Sequence, residues 1–473
     1  MRNSSNMRFF NTIIRNLPLL LILTLGLIIR FLFYNSIDEP IVISDSPTYV
    51  DGALSLYYHL WLNEYRPPVY PIALMFMGVM FLWINLNTSI IVFQIVLSLV
   101  NIIYVYKMVY MIFPKKLLAW LCALTVAISF RVYCWDFMVL TESISILEVT
   151  LITYFLIKYI KYKEAKDLNT LCILLFIAVY TKPFFLLLPI TILMVLVFDL
   201  LATRHRSPGI RNTLPAARTF LKGFIAIYAS ILIYCTINYA ENLYFGFSSV
   251  GNVNTFGKIL QYDMAELGEN KELISDIRTA YKTEQPEFIV EGKFLEPWHF
   301  VGTYGWTENH YKEVGQFAQE IILKHPIKYS IESLRLTYNL FIVSPFKDYI
   351  AEGALTKANH PDKIMLIIKN ITDKVDALYP ILVISLLEAI YLMILMKKGM
   401  LKDSSVHTVA IFVITIYHYL ISAFLSYGDY CRLLAPSYSL IYILICIYLY
   451  RLGTFVLSAA SNMLKFFKYR LTS

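Results

Sequence analysis

The sequence predicts an all-helical membrane protein that crosses the bilayer many times, and three observations lead to this fold class. Hydrophobic residues make up 58% of the 473 positions and charged residues only 16%. The mean hydropathy is +0.60, well above that of an average soluble domain. Finally, the chain contains a series of apolar runs of about 20 residues, the length that a helix needs to cross the hydrocarbon layer.

These runs predict about ten transmembrane helices, with a range of roughly 9 to 13. The predicted spans cover residues 17–35, 88–112, 117–135, 139–160, 168–181, 183–202, 219–240, 375–396, 405–427 and 431–451. The first run lacks a small-residue cleavage pattern, so we interpret it as a signal anchor. The apolar stretch from Tyr70 to Leu86 is too short for a confident span, and we expect a juxtamembrane or partly inserted helix there.

Basic residues predict the orientation, because short cytoplasmic loops are enriched in Lys and Arg. Six basic clusters recur after every second span and fall on one side. They contain Arg2, Arg8 and Arg15; Lys115 and Lys116; Lys158, Lys161 and Lys163; Arg204, Arg206, Arg211 and Arg218; Lys397 and Lys398; and residues 465–470. The loops between these clusters are therefore predicted to be extracytoplasmic.

Three regions follow from this topology. An N-terminal transmembrane module covers 1–240 and includes a first extracytoplasmic loop at 36–87. An extracytoplasmic insert covers 241–374, and a C-terminal transmembrane block with a basic cytoplasmic tail covers 375–473. The insert holds 18 acidic and 14 basic residues, net −4, whereas the whole chain carries +8. The positive charge thus reflects topology, and we expect no nucleic-acid partner.

The insert is predicted to be small and mostly helical, with helices over 258–283 and 309–342 and an interruption of the second at Pro326. The segment after Pro326 is largely apolar but carries Lys328, Glu332 and Arg335. An extra span here would put the later basic clusters on the wrong side. We therefore expect a helix that lies on the membrane surface.

Five polar motifs share the predicted extracytoplasmic face. They are Asp45-Ser46 with Tyr49, Arg66-Pro67-Pro68 with Tyr70-Pro71, Leu140-Thr141-Glu142, Tyr180-Thr181-Lys182-Pro183, and residues 427–436 with Arg432. Ionisable side chains near hydrocarbon are costly to desolvate, so they tend to persist where they contact a substrate, an ion or one another.

In this order, the motifs resemble the GT-C glycosyltransferases over roughly 200 N-terminal residues. The likeness is strongest to protein O-mannosyltransferases and lipid A aminoarabinose transferases. The resemblance implies a GT-C-like fold and the transfer of a hexosyl or pentosyl group from a polyprenyl-phosphate carrier to an extracytoplasmic acceptor. It also implies an integral protein of the bacterial inner (plasma) membrane that acts in cell-envelope glycan biosynthesis. The O-mannosyltransferases carry Asp-Glu where this chain has Asp45-Ser46, so the acceptor, whether lipid, polysaccharide or protein, stays open.

The resemblance assigns roles that suit the residue types. Asp45 matches the acid of the family's first loop and would act as general base. The leaving lipid phosphate gains negative charge, so fixed cations would stabilise the transition state. The candidate cations are Arg66, Lys182 and Arg432. The remaining substrate-binding candidates are Tyr49, Tyr70 and Glu142.

Each candidate also has a structural interpretation. Asp45 and Glu142 are suitable helix caps, and Asp51 is a rival acid for the catalytic role. Arg66 is within reach of Glu64, and Arg432 is within reach of Asp429. Lys182 and the two tyrosines are typical of membrane-interface anchors.

Neither a metal nor another cofactor is indicated by the sequence. The six cysteines show no CxxC spacing and the histidines do not cluster. A lone divalent ion between Asp45 and Glu142 remains an alternative. Two rival functions also stay open: a lipid or glycan transporter or flippase, which should show matching halves and polar residues near mid-span, and a non-catalytic scaffold.

Overall fold

The computed structural model describes residues 2–37, 41–42, 45–61, 64–80, 86–206, 213–283, 289–290, 294–295, 301, 305, 310–342, 363–376, 383–384, 387, 403–428 and 430–472. Helices form nearly all the regular structure within these residues. The two strands among them, Ile289–Val290 and Phe294–Leu295, form a short antiparallel pair in which Ile289 faces Leu295. The predicted all-helical fold class is confirmed.

The helices of the N-terminal region run from α1 to α10. Their bounds are α1 Arg2–Tyr34, α2 Ser46–His59, α3 Val69–Met80, α4 Leu86–Ile112, α5 Lys116–Ile128, α6 Phe130–Tyr133, α7 Glu142–Tyr162, α8 Ala165–Thr181, α9 Leu188–Arg206 and α10 Thr213–Asn242. Single 3₁₀ turns at Cys134–Phe137 and Pro183–Phe185 follow α6 and α8.

The insert and the C-terminal block supply eight further helices in the described residues. They are α11 Val250–Gln261, α12 Lys271–Thr283, α13 Tyr311–Lys324, α14 Pro326–Ile342, α15 Lys363–Asp376, α16 Asp403–Leu425, α17 Tyr430–Leu434 and α18 Tyr438–Thr472. Short 3₁₀ turns lie at Ala265–Leu267 and Ala435–Ser437.

Seven of the described helices are long and apolar enough to cross a membrane. These candidate spans are Leu17–Tyr34, Thr88–Ile112, Glu142–Tyr162, Pro183–Leu201, Arg218–Asn242, Ser405–Leu425 and Tyr430–Asn462. They match seven of the ten predicted spans. The predicted span at 168–181 corresponds to α8, which has 17 residues, and the one at 375–396 lies mostly outside the described residues. The protein is therefore an integral membrane protein with many spans.

The predicted span at 117–135 is not one straight helix. The helices on either side of Ser129 meet at 60°, because Ser129 has extended backbone angles (φ −68°, ψ 117°). Its hydroxyl donates a hydrogen bond to the Tyr442 hydroxyl at 2.8 Å. If this bent pair is one span, the described residues contain eight.

The prediction of a single helix over 258–283 is wrong. Helix α11 ends at Gln261, and Asp263 then takes a left-handed conformation with φ 52°. A new helix starts where the Leu273 amide donates to the Asn270 side chain at 3.0 Å, a contact that satisfies a free amide at the helix start. The predicted interruption at Pro326 is confirmed, since α13 ends at Lys324 and α14 begins at Pro326.

Helix α7 lies at the centre of the membrane region and packs against α4, α8 and α16. Within its candidate span 72% of the residues are buried, compared with 17% for the span in α10. Helix α10 therefore offers most of its surface to lipid. Because α7 is enclosed, the polar residues at its start are held among other protein groups.

The predicted orientation is testable by labelling. Ser275→Cys, on the exposed face of α12, should react with an impermeant thiol reagent added to intact cells, and Lys166→Cys should react only after lysis. Both residues are exposed, whereas the native cysteines are buried or half-buried, so unmodified protein serves as the background control. The reverse labelling pattern would contradict the assigned orientation.

Candidate functional site

A short backbone contact brings the first loop to the start of α7. The Ile41 amide donates to the Phe137 carbonyl at 2.8 Å, and the Val139 amide donates to the Ile41 carbonyl at 3.4 Å. This bridge pairs Ile41 with Met138. As a result, Asp45 lies near the segment that leads to Glu142, although about a hundred positions separate them in sequence.

Asp45 stands at the start of α2 but its side chain does not cap the helix. Pro47 lies in the first turn of α2, and its nitrogen carries no hydrogen that would need a cap. The Thr48 hydroxyl donates a hydrogen bond to the Asp45 backbone carbonyl at 2.8 Å. The carboxylate is instead bound by two arginines. Oδ1 lies 2.7 Å from Nη2 of Arg66, and Oδ2 accepts a hydrogen bond from Nη2 of Arg432.

Arg432 links Asp45 to a second carboxylate. Its Nε donates to Oε1 of Glu142 at 3.0 Å, and the same oxygen accepts from the Lys182 ammonium at 2.8 Å. The five groups therefore form one chain of alternating charge in the order Arg66, Asp45, Arg432, Glu142, Lys182. We call these five residues the charge chain.

The members of the charge chain differ in their access to solvent. The Asp45 side chain is 29% exposed, whereas that of Glu142 is fully buried and those of the three cations are 7 to 8% exposed. Oε2 of Glu142 is buried and has no hydrogen-bond partner among the described residues. Asp45 is thus the more accessible carboxylate of the two.

The pKa values of Asp45 and Lys182 are shifted by burial and by their charged partners. Burial acts to raise the pKa of Asp45, but the Arg432 and Arg66 guanidiniums together outweigh it and hold the pKa of this carboxyl well below its usual range. Burial lowers the pKa of Lys182, and Glu142 offsets only part of this effect. Asp45 is therefore ionised at neutral pH.

The two candidate tyrosines, Tyr49 and Tyr70, pack together on one side of Arg66. The guanidinium carbon of Arg66 is 4.5 Å from the centre of the Tyr49 ring, a cation–π contact. The Tyr70 ring meets Tyr49 edge to face at 5.1 Å, and its hydroxyl donates to Gln94 at 3.1 Å. Both tyrosines are almost fully buried, so Tyr49 supports the Arg66 guanidinium directly and Tyr70 supports the Tyr49 ring.

A second buried ion pair, which the sequence analysis did not single out, lies next to the site. Nε of Arg30 donates to Oδ2 of Asp136 at 2.8 Å, and the Ser143 hydroxyl donates to Oδ1 at 2.8 Å. Gln94 donates to the Asp136 carbonyl at 3.0 Å, which connects this pair to Tyr70. An arginine inside an apolar run is a recognisable signal, and Arg30 near the end of the first span carries it.

The structural alternatives for the site residues are resolved in part. Asp51 is exposed on α2 and is not a member of the charge chain. Glu142 is the first residue of α7, and Lys182 follows the last residue of α8. Asp429 lies outside the described residues. Those residues contain no group of three His, Cys, Asp or Glu side chains suited to a metal ion, and the Arg432 guanidinium stands between Asp45 and Glu142.

Residues 65–232 match a family model described as dolichyl-phosphate-mannose-protein mannosyltransferase. The chain resembles this family. The match confirms the predicted likeness to membrane glycosyltransferases of the GT-C class. It includes Arg66, Tyr70, Glu142 and Lys182, whereas Asp45, Tyr49 and Arg432 lie outside it. No curated protein matches the chain closely enough to count as a relative.

Two solved proteins are similar in structure to this chain at low sequence identity. One is the archaeal oligosaccharyltransferase AglB of Archaeoglobus fulgidus, solved in complex with an inhibitory peptide and a dolichol-phosphate. It has 12% sequence identity and a TM-score of 0.48, and the alignment covers 93% of this chain and 52% of AglB. The chain thus spans about half the length of AglB. Another is ArnT of Cupriavidus metallidurans, with 11% identity, a TM-score of 0.36 and coverage of 86% and 77% in the apo state. ArnT bound to undecaprenyl phosphate is similar to the same degree.

The fully buried carboxylate of the charge chain, Glu142, should be structurally essential. Glu142→Ala would leave Arg432 and Lys182 buried without their shared carboxylate, which should destabilise the fold by about 3–5 kcal/mol. We expect a clear drop in Tm for the purified protein in detergent. Glu164→Ala is the control, because Glu164 pairs with Lys166 on the exposed surface and such pairs contribute little. Equal Tm values for the two variants would contradict the assigned role of Glu142.

Proposed function

We propose that this protein is a glycosyltransferase that moves a sugar from a polyprenyl-phosphate carrier to an acceptor on the extracytoplasmic side of the membrane. The observation that carries the proposal is the accessible Asp45 carboxylate held between Arg66 and Arg432. This arrangement supplies a base and two phosphate-binding groups at one point. The sequence match over residues 65–232 supports the reaction class.

The charge balance of the site suits an anionic donor. The three cations of the charge chain exceed its two carboxylates by one positive charge. A sugar linked to a polyprenyl phosphate carries one negative charge on its phosphodiester, so the donor neutralises the site. Because arginine offers a planar fork of donors, Arg66 and Arg432 are suited to bind phosphate oxygens.

Donor binding and activation of the base are coupled in this proposal. In the free protein both arginines are bonded to Asp45, which makes the carboxylate a weak base. A donor phosphate that draws the guanidiniums toward its own oxygens relaxes these bonds and raises the basicity of Asp45. Glu142 keeps Arg432 and Lys182 near the phosphate during this exchange.

The transfer then proceeds by displacement at the anomeric carbon. An acceptor hydroxyl oxygen attacks this carbon while Asp45 takes up the hydroxyl proton. The bond between the anomeric carbon and the phosphate oxygen breaks, and its electron pair leaves with the lipid phosphate. The phosphate gains one negative charge, and the three cations stabilise it more strongly than the donor's single charge.

An apolar groove beside the site suits the carrier's hydrocarbon chain. It has a cavity volume of about 170 Å³ and lies between α2 and α3, where its lining includes Val50, Leu54 and Tyr57. These residues follow Asp45 along α2 at about 8 to 18 Å, given the rise of 1.5 Å per helical residue. A carrier with its phosphate at Arg66 would lay its first isoprene units along this groove.

The transporter alternative is less well supported by the position of the charges. Asp45, Glu142 and Lys182 all lie at helix ends, and Arg432 belongs to the five-residue helix α17. A carrier that moves substrate across the bilayer needs its binding groups near the midplane. A site at helix ends suits a substrate whose headgroup stays at one membrane surface.

The role of Asp45 is tested by the isosteric variant Asp45→Asn. Loss of the base should reduce turnover of a polyprenyl-phosphate sugar by about 10²-fold or more, while the fold is retained. Asp51→Asn, on the exposed side of the same helix, should leave turnover unchanged. Near-normal transfer by well-folded Asp45→Asn protein would exclude Asp45 as the base.

The phosphate contacts are tested at Arg66 and Arg432. Each charge-assisted bond contributes about 1.5–3 kcal/mol, so alanine at either position should reduce kcat/KM by about 10- to 150-fold. Arg66→Lys should fall between wild type and Arg66→Ala, because it keeps the charge but loses the fork. Arg278→Ala removes an exposed arginine of the insert and is the matched control.

The reaction class itself is tested by incubating wild-type protein with the lipid-linked sugar and a broad acceptor extract. If the lipid-linked sugar is recovered intact, the protein is not a transferase.

A further inference from the structure

We propose that helix α11 braces the two arginine-bearing segments of the site, and that Lys258 is a positioning residue for Arg432. This inference rests on the proposed function for its catalytic consequence, but its structural part stands on contacts alone. Helix α11 belongs to the insert rather than to the membrane region. Each of its ends is bonded to a segment that carries one arginine.

Ser248 and Ser249, the two residues immediately before α11, hold the loop that leads into Arg66. The Ser248 hydroxyl donates to the Tyr65 carbonyl at 2.6 Å, and the Ser249 amide donates to the Glu64 carbonyl at 2.9 Å. Both acceptors are backbone atoms of the two residues before Arg66. These bonds therefore fix the path of the main chain from which the Arg66 side chain extends.

The C-terminal end of α11 holds the helix that contains Arg432. The Lys258 ammonium donates to the Tyr430 hydroxyl at 2.7 Å, and this hydroxyl donates to the Gln261 side chain at 2.7 Å. Lys258 also donates to Gln261 at 3.1 Å and lies 4.7 Å from the centre of the Tyr430 ring. Lys258 is fully buried, and Tyr430 shares the single helical turn of α17 with Arg432.

A glycine allows α11 to approach this segment closely. A Cβ atom on Gly257 would overlap Cγ of Tyr427. Gly428, which follows Tyr427, has a φ of 61°, a backbone conformation that favours glycine. The sharp turn and the close contact together set where α17 begins.

Helix α11, the brace, is held firmly because it packs along α13. The Phe256 ring meets Phe317 of α13 at 6.2 Å, and Asn252 lies against Gly315 of the same helix. With 12 residues, α11 is about 18 Å long. Any displacement of this helix therefore moves both attachment points together.

The brace has a direct consequence for the site. Arg66 and Arg432 bind opposite oxygens of Asp45, and in the proposed reaction both bind one phosphate. Binding groups of this kind must be held within about 0.5 Å of the productive geometry. Helix α11 thus sets the separation of the two guanidiniums from outside the membrane region, without contacting the substrate.

The inference is tested by hydrogen–deuterium exchange measured by mass spectrometry on the full-length protein in detergent. Lys258→Met removes the ammonium, and we expect at least about 10-fold faster exchange in the segment that includes Arg432. We also expect faster exchange around Arg66, at the other end of α11. Ser248→Ala should produce the reciprocal effect. Ser275→Ala, an exposed position on α12, is the control and should change neither segment.

Kinetics add a readout that general loosening of the fold would not produce. Lys258→Met should lower kcat about 10-fold with KM within about twofold, because the arginines act mainly on the transition state. Lys258→Arg, which keeps a charged donor for Tyr430, should recover most of the lost kcat. Gly257→Ala should resemble Lys258→Met, and it is the substitute if that variant does not fold.

The two proposals fail in different ways. If Lys258→Met and Ser248→Ala each speed exchange around only one of the two arginines, the proposal that α11 couples the two segments is overturned. This conclusion holds whether or not the variants are active. Coupled exchange at both segments supports the brace even if no sugar transfer is found, in which case only the proposed reaction fails. A loss of kcat in Lys258→Met that Lys258→Arg does not recover would overturn the positioning role of Lys258.

Discussion

The shared guanidinium of Arg432 is the interaction on which the site depends. It bonds to Asp45 and to Glu142, and so joins residues from three distant parts of the chain. Burying an isolated charge costs many kcal/mol, so each member of the charge chain is stable in place only while its neighbours are present. The alternating order satisfies this requirement, because every carboxylate contacts two cations. The first loop, α7 and α17 are consequently held together by charge as well as by packing.

A second network of buried polar contacts lies next to the charge chain. Arg30 and Asp136 form an almost fully buried pair, and hydrogen bonds through Gln94 and Tyr70 lead from it to the rings below Arg66. Side chains in such a network have few alternative rotamers, since any rotation would leave a buried polar atom without a partner. This network helps to explain how the partly exposed Asp45 carboxylate keeps a defined position.

The candidate residues could be selected from the sequence, whereas most of the contacts between them could not. All seven candidates lie in one cluster, since each motif combined an ionisable or aromatic residue with the end of an apolar run. The link from Asp45 through Arg432 to Glu142 was not predictable, because it depends on the backbone bridge between Ile41 and Met138. Likewise, the break after α11 depends on the left-handed Asp263, and no periodic pattern reveals it. The prediction that Asp45 is the base remains to be tested.

Exposure separates the roles of the two acids in the charge chain. Both Asp45 and Glu142 are bound by Arg432, yet only the Asp45 side chain has substantial access to solvent. A base must reach the proton it removes, whereas a residue that fixes cations works best when water is excluded from its bonds. Glu142 therefore suits the task of keeping Lys182 and Arg432 charged and in place. In the proposed reaction the two carboxyl groups therefore have different tasks, because the surrounding helices bury Glu142 and leave Asp45 accessible.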